Sequence, residues 1–292
     1  MSKAIQYIKE SVWFAYCIMT MELTRRFENI IEVEEVMDIQ SIGVTCPVRC
    51  RLANGIDVVV KYMRNPFGQQ VLVNEFIGSC IADLIGLTVP EYGICNLLEE
   101  VILNSANEDL DESNAGLAFF SKEYPDTVPP IHTLLSRIQN KETEKIILFD
   151  HLVNNFDRHE GNLLVDMNNM TLFVIDNSHI FTKDLRCTIE SLEEELKDEV
   201  IFSTYILETN KIIYDSLCNE LGFSEDRIIE EATLFKSKIS QDALQAIKDN
   251  IPITWIESVG ENKINKIFEI LNKKVSYISE IGEMIIKERR NK

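Results

Sequence analysis

Basic residues are scarce in this sequence. It contains 29 Lys and Arg against 48 Asp and Glu, so its formal net charge is −19. A charge of this sign repels the phosphate backbone of nucleic acids and the anionic surface of membranes. We therefore expect no binding to nucleic acid or to a membrane surface. A basic protein or peptide, or an anionic ligand held through a bound cation, stays compatible with the charge.

The spacings that zinc and calcium sites require are also missing. The seven cysteines include no CxxC pair, only Cys46 and Cys50 are close together, and no HxxxH occurs among the four histidines. An odd number of cysteines without such pairs speaks against a disulfide framework and against zinc, and it favours free thiols in a reducing cytoplasm. Neither "DRHEGN" nor "DMNNMT" has glycine at its sixth position, which argues against a calcium loop.

No apolar run is long enough to span a bilayer. The amino-terminal "SVWFAYCIMTM" is shorter than the roughly 20 residues that a transmembrane helix needs, and no small-x-small cleavage site follows it. We expect residues 1–34 to form a helical extension packed on the body, with Met21 as an alternative start. Repeats and low-complexity segments are absent, and 292 residues with 45% hydrophobic content can bury two lobes.

Strand patterns dominate the part of the chain that follows residue 34. "EVMDIQ", "CPVRCRL" and "IDVVVKYM" are strand-like, and the turn residues Asn54-Gly55 join the last two into a hairpin. The next segment, "PFGQQVLVNEFIGSCIADLIGLTVP", has helical spacing and ends at Gly86 and Pro90. "YGICNLL" and "GLAFFS" predict two further strands around an acidic loop. The proline-rich "KEYPDTVPP" marks the expected lobe boundary.

Helical patterns dominate the second half. "IHTLLSRIQN" and "KETEKIILFDHLVNNF" are helix-like, "NLLVD" and "TLFVID" predict a β-hairpin, and everything after Ser191 is helical, beginning with a capping box of Ser191 and Glu194. The prediction is an α+β chain. A small β-rich N-lobe over residues 35–122 carries one long helix, and a larger, mainly helical C-lobe over residues 123–292 contains the hairpin.

Polar side chains collect at one end of this hairpin. If residues 163–166 pair antiparallel with residues 172–175, the start of the first strand lies beside the end of the second, so Asn162 and Asp176 become neighbours. Asp157 lies five residues before Asn162 on the entering loop. Carboxylate and amide oxygens suit Mg²⁺, and a further carboxylate outside the metal shell can accept a proton from an attacking hydroxyl. We expect Asn162 and Asp176 to bind magnesium and Asp157 to act as the base of a phosphoryl transfer.

The β-rich lobe supplies a candidate cation for the same reaction. Lys61 ends the strand "VVVK", and Glu75 lies on the helix that follows. An ion pair between them would hold the ammonium where it neutralises nucleotide phosphates. Between the first two strands, "SIGVTCP" offers a turn at Gly43 and Thr45 whose backbone N–H groups could face those phosphates.

Together, "VVVK…NE…DRHEGN…VIDNSHIF" resembles the HipA-like kinases. The DxxxxN loop followed by a hairpin and Asp is similar to the wider protein-kinase-like fold, including the phosphoinositide kinases with their DRHxxN loop. The resemblance covers roughly residues 36–181 and implies a bilobal protein-kinase-like fold that uses ATP and Mg²⁺.

The resemblance also implies individual roles. Lys61 contacts the nucleotide phosphates with Glu75 as its partner, Asp157 is the catalytic base, and Asn162 and Asp176 hold the metal.

Two further features of the resemblance concern the nucleotide. Adenine lies against the strand that leads to the boundary, with backbone groups near Phe119 and Phe120 as hinge candidates. The chain departs from ordinary protein kinases because its phosphate loop keeps one glycine, Gly43, and because Asp176 is followed by Asn-Ser rather than Phe-Gly.

Each of these residues also has an ordinary interpretation. Asp157 and Asn162 are residue types that favour turns, and a strand-end Lys61 or a helical Glu75 is usually solvated. Taken together and in this order along the chain, however, these residues favour a nucleotide site over the ordinary interpretation of each. Arg158 is expected to brace the loop rather than to touch substrate.

The sequence thus predicts an ATP- and Mg²⁺-dependent phosphotransferase of the HipA-like type, a cytoplasmic serine/threonine kinase with a protein or peptide substrate. Two alternatives stay open: a nucleotide-binding pseudokinase, and a kinase of a small-molecule or lipid alcohol. Ser41 or Thr45 is a candidate regulatory phosphosite, because HipA-like kinases are phosphorylated in this loop. The oligomeric state is not predicted.

Overall fold

A computed structural model describes residues 30–39, 45–183 and 187–291. Its first feature is a closed barrel of five strands in the order β1-β2-β3-β5-β4. Neighbouring strands are antiparallel except for β1 and β4, which pair in parallel and close the barrel. The strands are β1 (Ile31–Ile39), β2 (Val48–Leu52), β3 (Asp57–Lys61), β4 (Tyr92–Leu97) and β5 (Gly116–Lys122).

The predicted strands of this region are confirmed, and the β2–β3 turn forms as expected. Gly55 adopts a φ of 82°, which glycine tolerates without strain, and its N–H donates to the Leu52 carbonyl at 2.7 Å. The strand β1 begins at Ile31, four residues before residue 35, the expected start of the N-lobe. Residues 31–34 alternate apolar and acidic side chains, a period that fits a strand, whereas a helical extension had been expected there. The remainder of that extension lies outside the described residues.

The long helix α1 (Gln70–Ile85) follows β3, as the sequence predicts. Gly86 ends it in the left-handed region with a φ of 72°, and the N–H of Leu87 donates to the Ala82 carbonyl at 2.8 Å. Nearly the whole helix is buried, because it contacts the barrel strand β5 as well as helices from the second half of the chain.

A second sheet of three strands, in the order β6-β7-β8, carries the predicted hairpin. β7 (Leu163–Asp166) pairs antiparallel with β8 (Thr171–Val174), so that Leu163 lies opposite Val174. The predicted pairing is confirmed, with the second strand placed one residue earlier than expected. A short strand, β6 (Thr127–Val128), adds to the edge of β7 from within the proline-rich boundary segment, where no strand had been predicted.

Twelve further α-helices are described, most of them after residue 188. They are α2 (Glu99–Leu103), α3 (His132–Leu135), α4 (Thr143–Leu152), α5 (Ile189–Glu195), α6 (Asp198–Ile201), α7 (Tyr205–Thr209), α8 (Lys211–Glu220), α9 (Glu225–Lys238), α10 (Gln241–Asp249), α11 (Ile253–Val259), α12 (Glu261–Ser276) and α13 (Ile278–Arg290). No helix in this described part of the chain combines the length and the apolar character needed to cross a membrane.

Two helix predictions are wrong in detail. The helix expected over residues 131–140 ends at Leu135. Farther along, the side-chain amide of Asn140 donates to the Leu172 carbonyl on β8 at 2.9 Å and accepts from the Leu172 N–H at 2.8 Å, so this end of the predicted helix bonds to the second sheet instead. The capping box expected at Ser191 is also wrong. α5 begins at Ile189, and Thr188 is its N-cap, with its hydroxyl accepting from the Ser191 N–H at 3.1 Å.

Apolar side chains form two cores. One fills the barrel and includes Val58, Val60 and Phe120. The larger one joins α1, the second sheet and the helices, and it includes Phe119. Because successive side chains of a strand point to opposite faces, β5 contributes to both cores. The candidate site lies along the larger core, on the outer face of β3 and β5.

Candidate active site

Lys61 and Glu75 form a buried ion pair. Lys61 follows the inward-facing Val60 on β3, so strand alternation turns its side chain out of the barrel towards α1, where Glu75 lies. The Lys61 Nζ donates to Glu75 Oε1, and the two side chains are only 10% and 4% exposed. The same ammonium donates to Asp176 Oδ1 at 2.9 Å and to Ser178 Oγ at 2.7 Å.

These contacts determine the charges of the cluster. Burial lowers the pKa of Lys61, but the Asp176 and Glu75 carboxylates outweigh this effect and raise the pKa above its ordinary value. Burial raises the pKa of Glu75 despite the nearby Lys61. Partial burial raises the pKa of Asp176 too, but Lys61 and the bonds from Lys61 and Ser178 hold it below its usual range. A cationic Lys61 therefore faces an anionic Asp176 at neutral pH.

Asp176 lies just after β8, where the backbone turns sharply. Its φ of 58° is left-handed, a conformation in which Asp is among the better tolerated residues. The turn continues through Asn177, whose N–H donates to Glu75 Oε1 at 3.1 Å, and Ser178, whose N–H donates to Asp176 Oδ1 at 3.2 Å. The Asp176 side chain is 32% exposed, so solvent reaches the carboxylate from the side away from Lys61.

Asn162 lies beside Asp176, as the hairpin predicts. The N–H of Ile175, the residue before Asp176, donates to the Asn162 carbonyl at 3.1 Å. The Asn162 side-chain Nδ2 donates to the backbone carbonyl of Asp157 at 2.7 Å. This bond connects the residue expected to be the base with a residue expected to bind the metal. Asn162 is buried, whereas the Asp157 side chain is exposed to solvent. The structure thus brings the loop, Asn162 and Asp176 together at one end of the hairpin.

Arg158 holds this loop from inside. It forms an ion pair with Asp150 of α4 at 2.9 Å, and both side chains are 0% exposed. Its Nη1 donates to the carbonyls of Asn162 and Ile175, each at 2.9 Å, and so ties the loop to the end of β8. A guanidinium can make such simultaneous bonds because its donors have a fixed planar arrangement. Arg158 therefore braces the loop and does not face the open side of the site.

Three further residues form hydrogen bonds with Asp150 or Arg158. The Tyr214 hydroxyl donates to Asp150 Oδ2 at 2.9 Å, and burial raises the pKa of Tyr214 well above its ordinary value. Asn155 donates to Asp150 Oδ1 at 3.0 Å, and Asn210 accepts from the Arg158 N–H at 3.1 Å. The sequence did not predict these hydrogen bonds. Its only local indication of them is that Asp150 and Tyr214 are polar residues among apolar neighbours in their helices.

A second buried support lies at the start of the loop. Asn154 has a left-handed φ of 53°, and its side-chain amide donates to the Phe181 carbonyl at 3.1 Å and to Glu195 at 2.9 Å. The Asn154 oxygen accepts from the ammonium of Lys274 on α12, which also donates to the His151 carbonyl at 2.5 Å. Burial lowers the pKa of Lys274 to about 8. The C-terminal helices thereby contact the loop, which sequence reasoning did not anticipate.

The remaining predicted nucleotide residues are Gly43, Thr45, Phe119 and Phe120. Gly43 lies outside the described residues, and Thr45 is described as buried. Phe119 and Phe120 lie within β5, which pairs with β3 on one side and with β4 on the other. Their backbone groups therefore belong to the sheet ladder, and the structure does not support them as hinge contacts. The chain leaves the ladder only beyond Lys122.

The histidines near the site have local roles. His159 accepts from the Gly161 N–H at 3.0 Å at the exposed end of the loop, and His179 packs edge-on against Phe67 with 5.1 Å between ring centroids. Within residues 30–39, 45–183 and 187–291, no group of three or more His, Cys, Asp and Glu side chains is arranged to hold a metal.

One known protein family matches most of this sequence. Residues 33–280 match the family described as HipA-like kinase. No curated protein matches this sequence. Among solved structures, the chain is similar to a crystal structure of the Golgi casein kinase, with 12% identity, 91% of this chain and 76% of that chain covered, and a TM-score of 0.44.

Two other solved structures are also similar to this chain. The Golgi casein kinase with Mn/ADP bound shares 10% identity over 92% of this chain and 76% of that chain, with a TM-score of 0.45. The open conformation of CtTel1 shares 14% identity over 85% of this chain and 12% of that chain, with a TM-score of 0.36.

Proposed function

The chain belongs to the HipA-like kinase family, and from this premise we propose that it is an ATP- and Mg²⁺-dependent phosphotransferase acting on a serine or threonine hydroxyl of a protein. The observation that carries the proposal is the buried Lys61 ammonium between Glu75 and Asp176, beside the hairpin end that bears Asn162. A lysine held in place by a glutamate, next to a carboxylate that can bind a metal, is the arrangement that kinases use to neutralise nucleotide phosphates.

The donor set fits a hard divalent cation. Asp176 is anionic and partly exposed, and the Asn162 amide commits its Nδ2 to the Asp157 carbonyl, which leaves its oxygen as the ligand atom. Two protein oxygens are few, and a cation held by so few ligands completes its shell with waters and substrate phosphates, as Mg²⁺ does in kinases. When bound, Mg²⁺ would neutralise charge on the phosphates.

The roles of the protein groups follow from their positions. Lys61 binds and orients the phosphates, with Glu75 fixing its direction. Asp157, exposed on the loop, accepts the proton of the acceptor hydroxyl and orients it for in-line attack. In this proposal the barrel and α1 form the nucleotide lobe, and the helical part presents the acceptor. Adenine would contact the chain beyond Lys122, where β5 ends.

The test is phosphate transfer from γ-labelled ATP with Mg²⁺ to proteins of a cell lysate. Asp157→Asn should lower transfer by at least about 100-fold, the scale of general-base catalysis, and leave binding of a non-hydrolysable ATP analogue within about twofold, because Asp157 does not touch the Lys61 cluster. Glu160→Gln is the matched control, since Glu160 is also exposed on this loop. Transfer that survives in Asp157→Asn would refute the base. Nucleotide binding by the wild type without any transfer would favour a pseudokinase instead.

A further inference from the structure

The Lys61 ammonium has as many protein acceptors as it has N–H groups. A lysine side chain offers three donors, and they reach Glu75 Oε1, Asp176 Oδ1 and Ser178 Oγ. Of these acceptors, the Glu75 side chain is 4% exposed and Ser178 is 2% exposed, whereas Asp176 is 32% exposed. Asp176 is thus the acceptor that solvent or a metal can reach, and the N–H group of Lys61 that it accepts is the one that a phosphate could accept instead.

Ser178 bonds to both members of the ion pair. Its Oγ accepts from Lys61 Nζ at 2.7 Å and donates to Glu75 Oε1 at 2.9 Å. The same carboxylate oxygen also accepts from Lys61 and from the Asn177 N–H. The hydroxyl therefore closes a three-membered ring of hydrogen bonds with the ammonium and the carboxylate. Bonds to charged groups are the stronger class of hydrogen bonds.

The backbone around Ser178 is fixed to α1 by contacts that do not involve the hydroxyl. Asn74 donates from its side-chain amide to the Ser178 carbonyl at 2.7 Å. At Gly78, an added Cβ would approach the Cβ and Cγ of Asn177 to 2.7 Å, so a larger residue would push the turn away. Because the backbone is held independently, the Ser178 side chain is placed between Lys61 and Glu75 by the fold.

We propose that Ser178 is a positioning residue of this site. Its hydroxyl, together with Glu75, holds two of the three N–H groups of Lys61. The third N–H group then points at Asp176, and it can donate to a nucleotide phosphate instead when the nucleotide binds. The inference deepens the proposed function and rests on it. Without the hydroxyl, the ammonium can rotate about its stem, and the donor meant for the phosphate is no longer oriented. Preorganised donors bind more tightly because less orientational freedom is lost.

The first experiment measures affinity. Ser178→Ala should raise the Kd for Mg²⁺ with a non-hydrolysable ATP analogue about tenfold, the effect expected for a lost hydrogen bond to a charged group. Ser79→Ala is the matched control, because Ser79 is also a buried serine, lies on α1 and is 6% exposed; its Kd should equal that of the wild type. Urea unfolding of both variants verifies that they are folded during the titration.

A double-mutant cycle separates positioning from simple structural support. If Ser178 acts through Lys61, then Ser178→Ala should change the Kd by less than about twofold when Lys61 is already Ala. Equal effects in both backgrounds would mean that the hydroxyl only supports the turn and would overturn the inference. An unchanged Kd in the Ser178→Ala variant alone would overturn it as well.

A second readout needs no nucleotide. The rate at which an acylating reagent modifies Lys61, followed by mass spectrometry, should rise about tenfold in Ser178→Ala, because the ammonium loses a stabilising hydrogen bond and more of the lysine is the neutral amine that attacks the reagent. The rate should not change in Ser79→Ala. An unchanged rate in Ser178→Ala would overturn the inference even if the Lys61→Ala variants bind nucleotide too weakly to titrate. A wild type that binds no nucleotide analogue would instead overturn the proposed function, and the inference with it.

Discussion

The buried ammonium of Lys274 should make stability depend on pH in a way that one substitution removes. Burial lowers its pKa from 10.5 to about 8, with Glu195 opposing the shift. The difference between these values corresponds to about 3 kcal/mol. Because the folded chain releases this proton more readily than the unfolded chain, the unfolded chain binds more protons between the two values, and the free energy of unfolding rises with pH there. The penalty is fully present below pH 8 and disappears towards pH 10.5.

The comparison that isolates this effect is the wild type against Lys274→Met. Methionine retains the apolar stem but cannot titrate. The free energy of unfolding, measured by urea at several pH values, should rise in the wild type relative to the variant by about 2 kcal/mol between pH 7 and 9.5. Burial lowers the pKa of the neighbouring His151 to about 3, so this ring stays neutral throughout.

Thiols that ionise on unfolding have no effect on the comparison, because both proteins contain them. Lys273→Met, which removes a partly exposed lysine of the same helix that pairs with Asp198, is the control for the loss of a positive charge. Parallel curves for the wild type and Lys274→Met would refute the reasoning, since they would mean that the pKa of Lys274 is the same in the folded and the unfolded chain.

Two further substitutions test the supports of the site. Asp150→Asn leaves the fully buried Arg158 guanidinium without its carboxylate and should lower the free energy of unfolding by about 3–5 kcal/mol, whereas Glu194→Gln in the exposed pair with Lys197 should change it by less than about 1 kcal/mol; equal effects would contradict this. Gly78→Ala forces a Cβ to 2.7 Å from Asn177 and should cost about 1–3 kcal/mol of stability and weaken nucleotide binding; unchanged values would mean that the turn moves freely.

Much of the architecture could be predicted because its signals are local. The turn at Gly55 and the end of α1 at Gly86 both depend on one residue in the left-handed region. The antiparallel pairing of the hairpin followed from two apolar runs and correctly placed Asn162 beside Asp176, although the register differs by one residue on the second strand. The resemblance to HipA-like kinases, based on these motifs, is confirmed by the match over residues 33–280.

What could not be predicted depends on contacts distant in sequence. Asn140, which was expected in the helix that ends at Leu135, bonds to Leu172 on β8, and no local pattern in the sequence indicates these bonds. Ser178 and Lys61 are separated by 117 residues, and Lys274 and Asn154 by 120. A serine or a lysine in such places resembles a surface residue until the fold buries it. The supports of the site therefore had to be found in the structure.

The alternation of β3 limits how this part of the sequence can vary in length. Val58 and Val60 face the barrel interior, and Lys61 faces α1. Inserting or deleting one residue within this strand would exchange the two faces, burying a charge in the barrel and presenting a valine to Glu75. A change of two residues would keep the facing. We therefore expect related sequences to vary in length at the exposed turn around Asn54 and Gly55, and to keep the strand that ends at Lys61 free of single-residue gaps.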